Sequence, residues 1–174
     1  MKKQSGFTVV EILVVSAVIG ILFTIVTVAW SITLRQGEDD TRHAEQQEWV
    51  SRFETYRAQQ GVYPNSTSAT SNASQLTGRY CLGTDFPNNR CGNNNIPTND
   101  ASPNRVMQEL RKVGTLPEYE HKLVRGRSGP WADYQTPAYI RVYQAYYNTP
   151  CPSGTTRDTT YTGEGAVCYV TLSK

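Results

Sequence analysis

Residues 7–34 read FTVVEILVVSAVIGILFTIVTVAWSITL, an apolar run with Glu11 as its one charge. A helix crosses a hydrocarbon core of about 30 Å with roughly 20 apolar residues. This run exceeds that length, so it spans with some tilt. An apolar helix of this kind inside a soluble domain needs a cover on every side. The rest of the 174-residue chain is rich in Asn, Thr, Ser and Tyr and supplies no such cover. The sequence therefore describes two unlike pieces, an apolar rod and a polar head.

Lys2 and Lys3 precede the run, and the positive-inside bias keeps that end cytoplasmic and sends the head across the membrane. All four cysteines fall in the exported part, which suits an oxidising compartment. A secretory signal peptide has an apolar region of about 7–15 residues closed by a small-residue site, and neither feature is present here. The formal charge is +2. Without residues 1–6 the 17 basic side chains fall to 15, matching the 15 acidic ones. A neutral remainder gives no general electrostatic pull towards nucleic acid or anionic membrane.

A carboxylate within an apolar helix costs roughly 2.5–3.5 kcal/mol on insertion scales, so Glu11 calls for a reason. It stands four residues, about one helical turn, after Phe7. A cut between Gly6 and Phe7 would create an amino group at the start of the rod. That charge would face Glu11 of a neighbouring copy, and pairing the two would set an axial register. Gly6-Phe7-Thr8-Val9-Val10-Glu11, behind a short basic leader, resembles the class III signal of type IV pilins and type II secretion pseudopilins. The resemblance implies cleavage after Gly6 by a prepilin peptidase and N-methylation of Phe7. It also implies assembly through Glu11, with Thr8 beside the cut site. Gly20 matches a glycine common in the family. Val28 stands near where many pilus-forming members carry a helix-breaking proline. The expected partners are other copies or related pilins, the peptidase, the assembly machinery and, before assembly, the inner membrane.

The expected fold is α+β: a long N-terminal helix, membrane-spanning in its first half, packed on a small antiparallel sheet. Leader 1–6, apolar segment 7–34, helical extension 35–60 and head 61–174 divide the chain. Trp49, Phe53 and Tyr56 fall at i, i+4 and i+7, a stripe for packing on a sheet. Residues 37–48 read as polar on all sides, an exposed neck. From residue 7 to 60 the helix would run about 80 Å, and Gly61-Val62-Tyr63-Pro64 stops it. Residues 65–102 read as a surface loop, with N-x-S/T matches at Asn65 and Asn72 that chance explains. Cys81 and Cys91, inside that loop, are expected to form a local disulfide; two cysteines without a nearby histidine make a poor metal site. Ser102-Pro103 reads as a helix start and Gly114 as its stop. Residues 138–147 and 166–172 read as strands, and 120–125 as a weaker third. A Cys151–Cys168 bond would tie one strand's exit to the next strand.

His43 and His121 have no catalytic or metal motif around them, and no phosphate loop or nucleophile elbow appears. The expectation is no enzyme, no metal and no cofactor. A basic cluster that includes Arg125 and Arg127 is a candidate DNA contact, set against an ordinary mixed-charge surface. Three roles follow: a surface pilus subunit for adhesion, motility or DNA uptake; a pseudopilin in a short periplasmic filament; and a membrane-anchored binding protein that never polymerises. All three place a single-pass precursor in the cytoplasmic membrane with the head exported.

Overall fold

The computed structural model describes residues 8–64, 78–92, 96–97, 104–135 and 139–173. Helix α1 spans Val9–Gln60. The chain divides into two compact units, Met1–Gly37 and Glu38–Lys174. In the first unit the apolar side chains of α1 all face outward, with exposures such as 81% at Val9 and 69% at Phe23. The candidate membrane window of this helix has no buried residue.

Among the described residues, the second unit contains the rest of α1 and seven strands: β1 (Gly78–Cys81), β2 (Arg90–Cys91), β3 (Ile96–Pro97), β4 (Trp131–Gln135), β5 (Tyr139–Tyr146), β6 (Thr156–Arg157) and β7 (Ala166–Ser173). Five of them form one antiparallel sheet in the order β1-β4-β5-β7-β6, and β2 pairs with β3. The central ladder runs from Tyr139 opposite Ser173 to Tyr146 opposite Ala166. Alternation along these strands sends Ala132, Tyr134, Ile140, Val142 and Leu172 into the main core. There they meet Trp49, Phe53 and Tyr56 of α1. Gly61, at φ 75, ends α1, and its N–H donates to the Arg57 carbonyl at 2.8 Å.

Helix α2 (Arg105–Leu110) adds Val106, Met107 and Leu110 to that core. Its start differs from the expected one. Ser102 and Pro103 lie outside the described residues, and the cap is Asn104. Its Oδ1 accepts the Met107 N–H at 3.1 Å, while its Nδ2 donates to the Cys81 carbonyl at 2.6 Å. The expected stop holds: Gly114 follows a short 3₁₀ turn over Arg111–Val113.

Three further expectations are corrected. Residues 120–125 form no strand; 115–123 carry no regular structure, because their side chains reach to α1 instead of a ladder. The polar neck is not exposed on every side: Asp39, Arg42, Glu45 and Gln46, on one face, are all buried. They continue the apolar stripe in helical steps, 39, 42, 46, 49, 53 and 56, and each meets a polar partner from the opposing segments. The presumed loop 65–102 also contains β1, β2 and β3.

Candidate functional site

The first turn of α1 is closed by Thr8 and Glu11. The Glu11 N–H donates to the Thr8 hydroxyl at 3.3 Å, and the Thr8 N–H and hydroxyl both donate to Glu11 Oε2 at 2.8 Å. This is a capping box, Thr-x-x-Glu ahead of an apolar run. It satisfies donors that a helix start leaves open and that hydrocarbon would not hydrate. Both contacts use the same carboxylate oxygen, and among the described residues Oε1 has no partner. Gly6 and Phe7, the expected cleavage and methylation positions, lie outside the described residues.

Further along the apolar segment the hydroxyls of Ser16, Thr24, Thr27, Ser31 and Thr33 each donate to a carbonyl three or four residues earlier. Such back-bonding leaves the segment with no hydroxyl that needs water. An outer surface this apolar and this self-satisfied fits lipid, or the tightly packed centre of an assembly.

In the head, Cys81 is bonded to Cys91 and Cys151 to Cys168, with Cα separations of 5.7 and 5.9 Å. The first pair packs with Phe86, Trp131, Tyr143 and Val167. No cluster of three or more potential metal ligands occurs among the described residues. Arg125 pairs with Glu164. Arg127 donates to the Thr162 carbonyl at 2.9 Å and lies over the Tyr161 ring at 5.4 Å. The two arginines thus hold down residues 161–164.

The charge and amide stripe of α1 builds a buried polar hub. Gln46 donates to the Val142 and Cys168 carbonyls at 2.8 and 3.2 Å and accepts from the Tyr146 hydroxyl at 2.7 Å. Asp39 accepts the N–H groups of Tyr147 and Asn148 at 2.8 and 2.9 Å, as well as the Asn148 amide at 2.8 Å. Glu45 Oε2 accepts from Gln144 at 2.9 Å, and its Oε1 lies 3.3 Å from His121 Nδ1. Burial pushes the Glu45 carboxyl up to about 8 and the His121 imidazole down to about 4. Both groups are therefore held in their neutral forms. Sequence reading missed this hub. The helical spacing from Asp39 through Tyr56 was its one signal, and polarity disguised it.

A model of the prokaryotic N-terminal methylation motif matches residues 1–27, which include Gly6, Phe7, Thr8 and Glu11. No curated protein and no solved structure matches the chain. The motif continues into an exposed, self-satisfied apolar helix, and the head behind it is a helix-and-sheet domain with two disulfides. The chain thus carries the N-terminal methylation motif, a class III prepilin signal, at the head of its apolar helix.

Proposed function

We propose that this chain is the structural, non-enzymatic subunit of a type IV pilus-like filament. The observation that carries the reading is the methylation motif joined to an apolar helix that exposes all its side chains. A prepilin peptidase removes residues 1–6, and Phe7 becomes the methylated N-terminus. Glu11 then serves two partners. Its Oε2 stays with Thr8 in the capping box, and its open Oε1 receives the Phe7 ammonium of the next subunit. Pairing two charges in the apolar filament centre selects one stagger, because every other stagger buries them alone. The loop closed by Cys151–Cys168 favours a surface pilus over a secretion pseudopilus, by resemblance to the disulfide-bounded loops of many pilins. Its residues are largely exposed, which suits adhesion, motility or DNA uptake.

Mass spectrometry of the mature N-terminus, with a sheared-surface fraction of the native host, tests this. A methylated Phe7 in that fraction is the expected result. A start at Met1 would reduce the chain to a simple anchor. Processed protein retained in the envelope, with secretion lost on deletion, would make it a pseudopilin.

A further inference from the structure

Residues 114–123 lie along α1 as an extended strap. At one end an added Cβ on Gly114 would come within 2.5 Å of the Arg52 guanidinium. Further along, the Tyr119 hydroxyl donates to Glu48 Oε2 at 2.7 Å, His121 faces Glu45, and Arg42 donates to the Lys122 carbonyl at 3.3 Å. The chain thus descends α1 from Arg52 to Arg42 on side-chain contacts. Among the described residues, no backbone group of 115–123 bonds to another backbone group. Only Pro117 and His121 of this stretch are buried. A segment without a ladder and with few buried side chains opens at low free energy.

His121 is the deepest anchor. Its ring stacks on Phe86 at a centroid distance of 3.8 Å, and its side chain is 2% exposed, beside 5% for Glu45. The imidazole hydrogen-bonds to the Gly129 backbone. Nδ1 and Glu45 Oε1 are buried 3.3 Å apart, and neither has a hydrogen-bond partner elsewhere among the described residues. With Nε2–H directed at the Gly129 carbonyl, a neutral imidazole presents Nδ1 as an acceptor. Glu45 must then hold the proton that joins them.

We propose that residues 114–123 form a proton-dependent strap, closed on α1 while Glu45 donates to His121 and released when Glu45 ionises. The charged and polar groups around the pair come from every element packed on it. Arg42 and Glu48 lie on α1 and Gln144 on β5. Tyr119 belongs to the strap, and Asp85 precedes Phe86. Arg42 is the cation that acts on both groups, and its guanidinium is spread between the Lys122 carbonyl and the Tyr147 ring at 5.5 Å. Ionised Glu45 would have to turn towards Arg42, away from His121.

The sign follows from both groups. Glu45 is raised from 4.5 to about 8, so its hold is complete below 4.5 and is lost as pH rises through 8. His121 is lowered from 6.5 to about 4, so its hold is complete above 6.5 and is lost as pH falls through 4. Between 4.5 and 6.5 the two trends cancel, because the open strap carries one proton on His121 and the closed strap one on Glu45. Above 6.5 only the Glu45 trend remains. Opening should therefore grow roughly 20-fold between pH 6 and pH 8.5.

Hydrogen exchange of the full mature chain in detergent micelles, corrected for intrinsic rates, measures this directly. Amides of residues 115–123 should lose protection by that factor, while α2, β5 and β7 keep theirs. E45Q keeps a donor to Nδ1 and has no proton to lose, so its strap should stay closed across the range. A flat wild-type profile, the same rise in E45Q, or a rise shared by the whole head would overturn the proposal. Should E45Q fail to fold, the Glu45 carboxyl carbon shift in the wild type decides. Titration with the same midpoint as strap opening supports the strap, and a separate midpoint rejects it.

Discussion

An added Cβ at Gly83 would lie 2.4 Å from His121 Nε2 and 3.0 Å from its Cε1, on a backbone with φ of +115. Only glycine takes that conformation without strain and leaves room for a buried ring. Gly83→Ala is expected to cost about 2–3 kcal/mol, from overpacking and the unfavourable backbone together. Denaturant titration of the mature chain in micelles checks this; a loss below about 0.5 kcal/mol would show that the ring has room to move. Gly83 was not legible in the sequence, because nothing near it announces a histidine arriving from residue 121. Thr8 and Glu11 were legible only as parts of the signal-like motif; the capping box between them was not read, although its partners stand three residues apart.

Trp49 is fully buried between α1 and the sheet. Trp49→Ala should lower stability by about 3–5 kcal/mol, through lost transfer energy and the cavity left behind. Thermal melting followed by near-ultraviolet circular dichroism reads the effect, and an unchanged midpoint would mean that α1 does not hold the sheet. The Trp49, Phe53 and Tyr56 stripe was readable because three apolar rings at helical spacing admit one packing face. Strands β5 and β7 were readable too, as eight-residue runs of aromatic and β-branched side chains. β1 and β4 were not. Gly78-Arg79-Tyr80-Cys81 is short and half polar, and Trp131-Ala132-Asp133-Tyr134-Gln135 carries an aspartate that pairs with Arg79 on the adjacent strand, at 3.2 Å. Residues 120–125 looked like a strand for the converse reason. Their alternation matches a helix groove as well as a sheet, and the anchors to Glu45 and Glu48 settle the matter.

Removing the bond between Cys151 and Cys168 frees a segment with a sequence separation of 17. The paired change Cys151→Ser and Cys168→Ser should destabilise the head by about 3 kcal/mol, chiefly by enlarging the unfolded ensemble. Chemical unfolding of the double variant tests this. Stability equal to the parent would mean that the β6 loop is restrained in the unfolded chain by other means. The two units respond to different surroundings. Residues 8–37 show an apolar exterior matched to lipid or to neighbouring copies, whereas the described residues of the second unit enclose their own core.

The apolar segment, the helix end at Gln60 and the two long strands all rest on neighbours within a few residues. Periodicity and composition record such neighbours, so these features stand in the amino-acid order. The polar hub does not. Glu45 and Gln46 meet Gln144 and Tyr146, 99 and 100 positions away. A charged or amide side chain on a helix reads as solvated until a partner is brought to it, because unpaired burial is prohibitive and paired burial is not. Folding the sheet onto α1 supplies those partners, and that packing turns an apparent neck into the interior of the head.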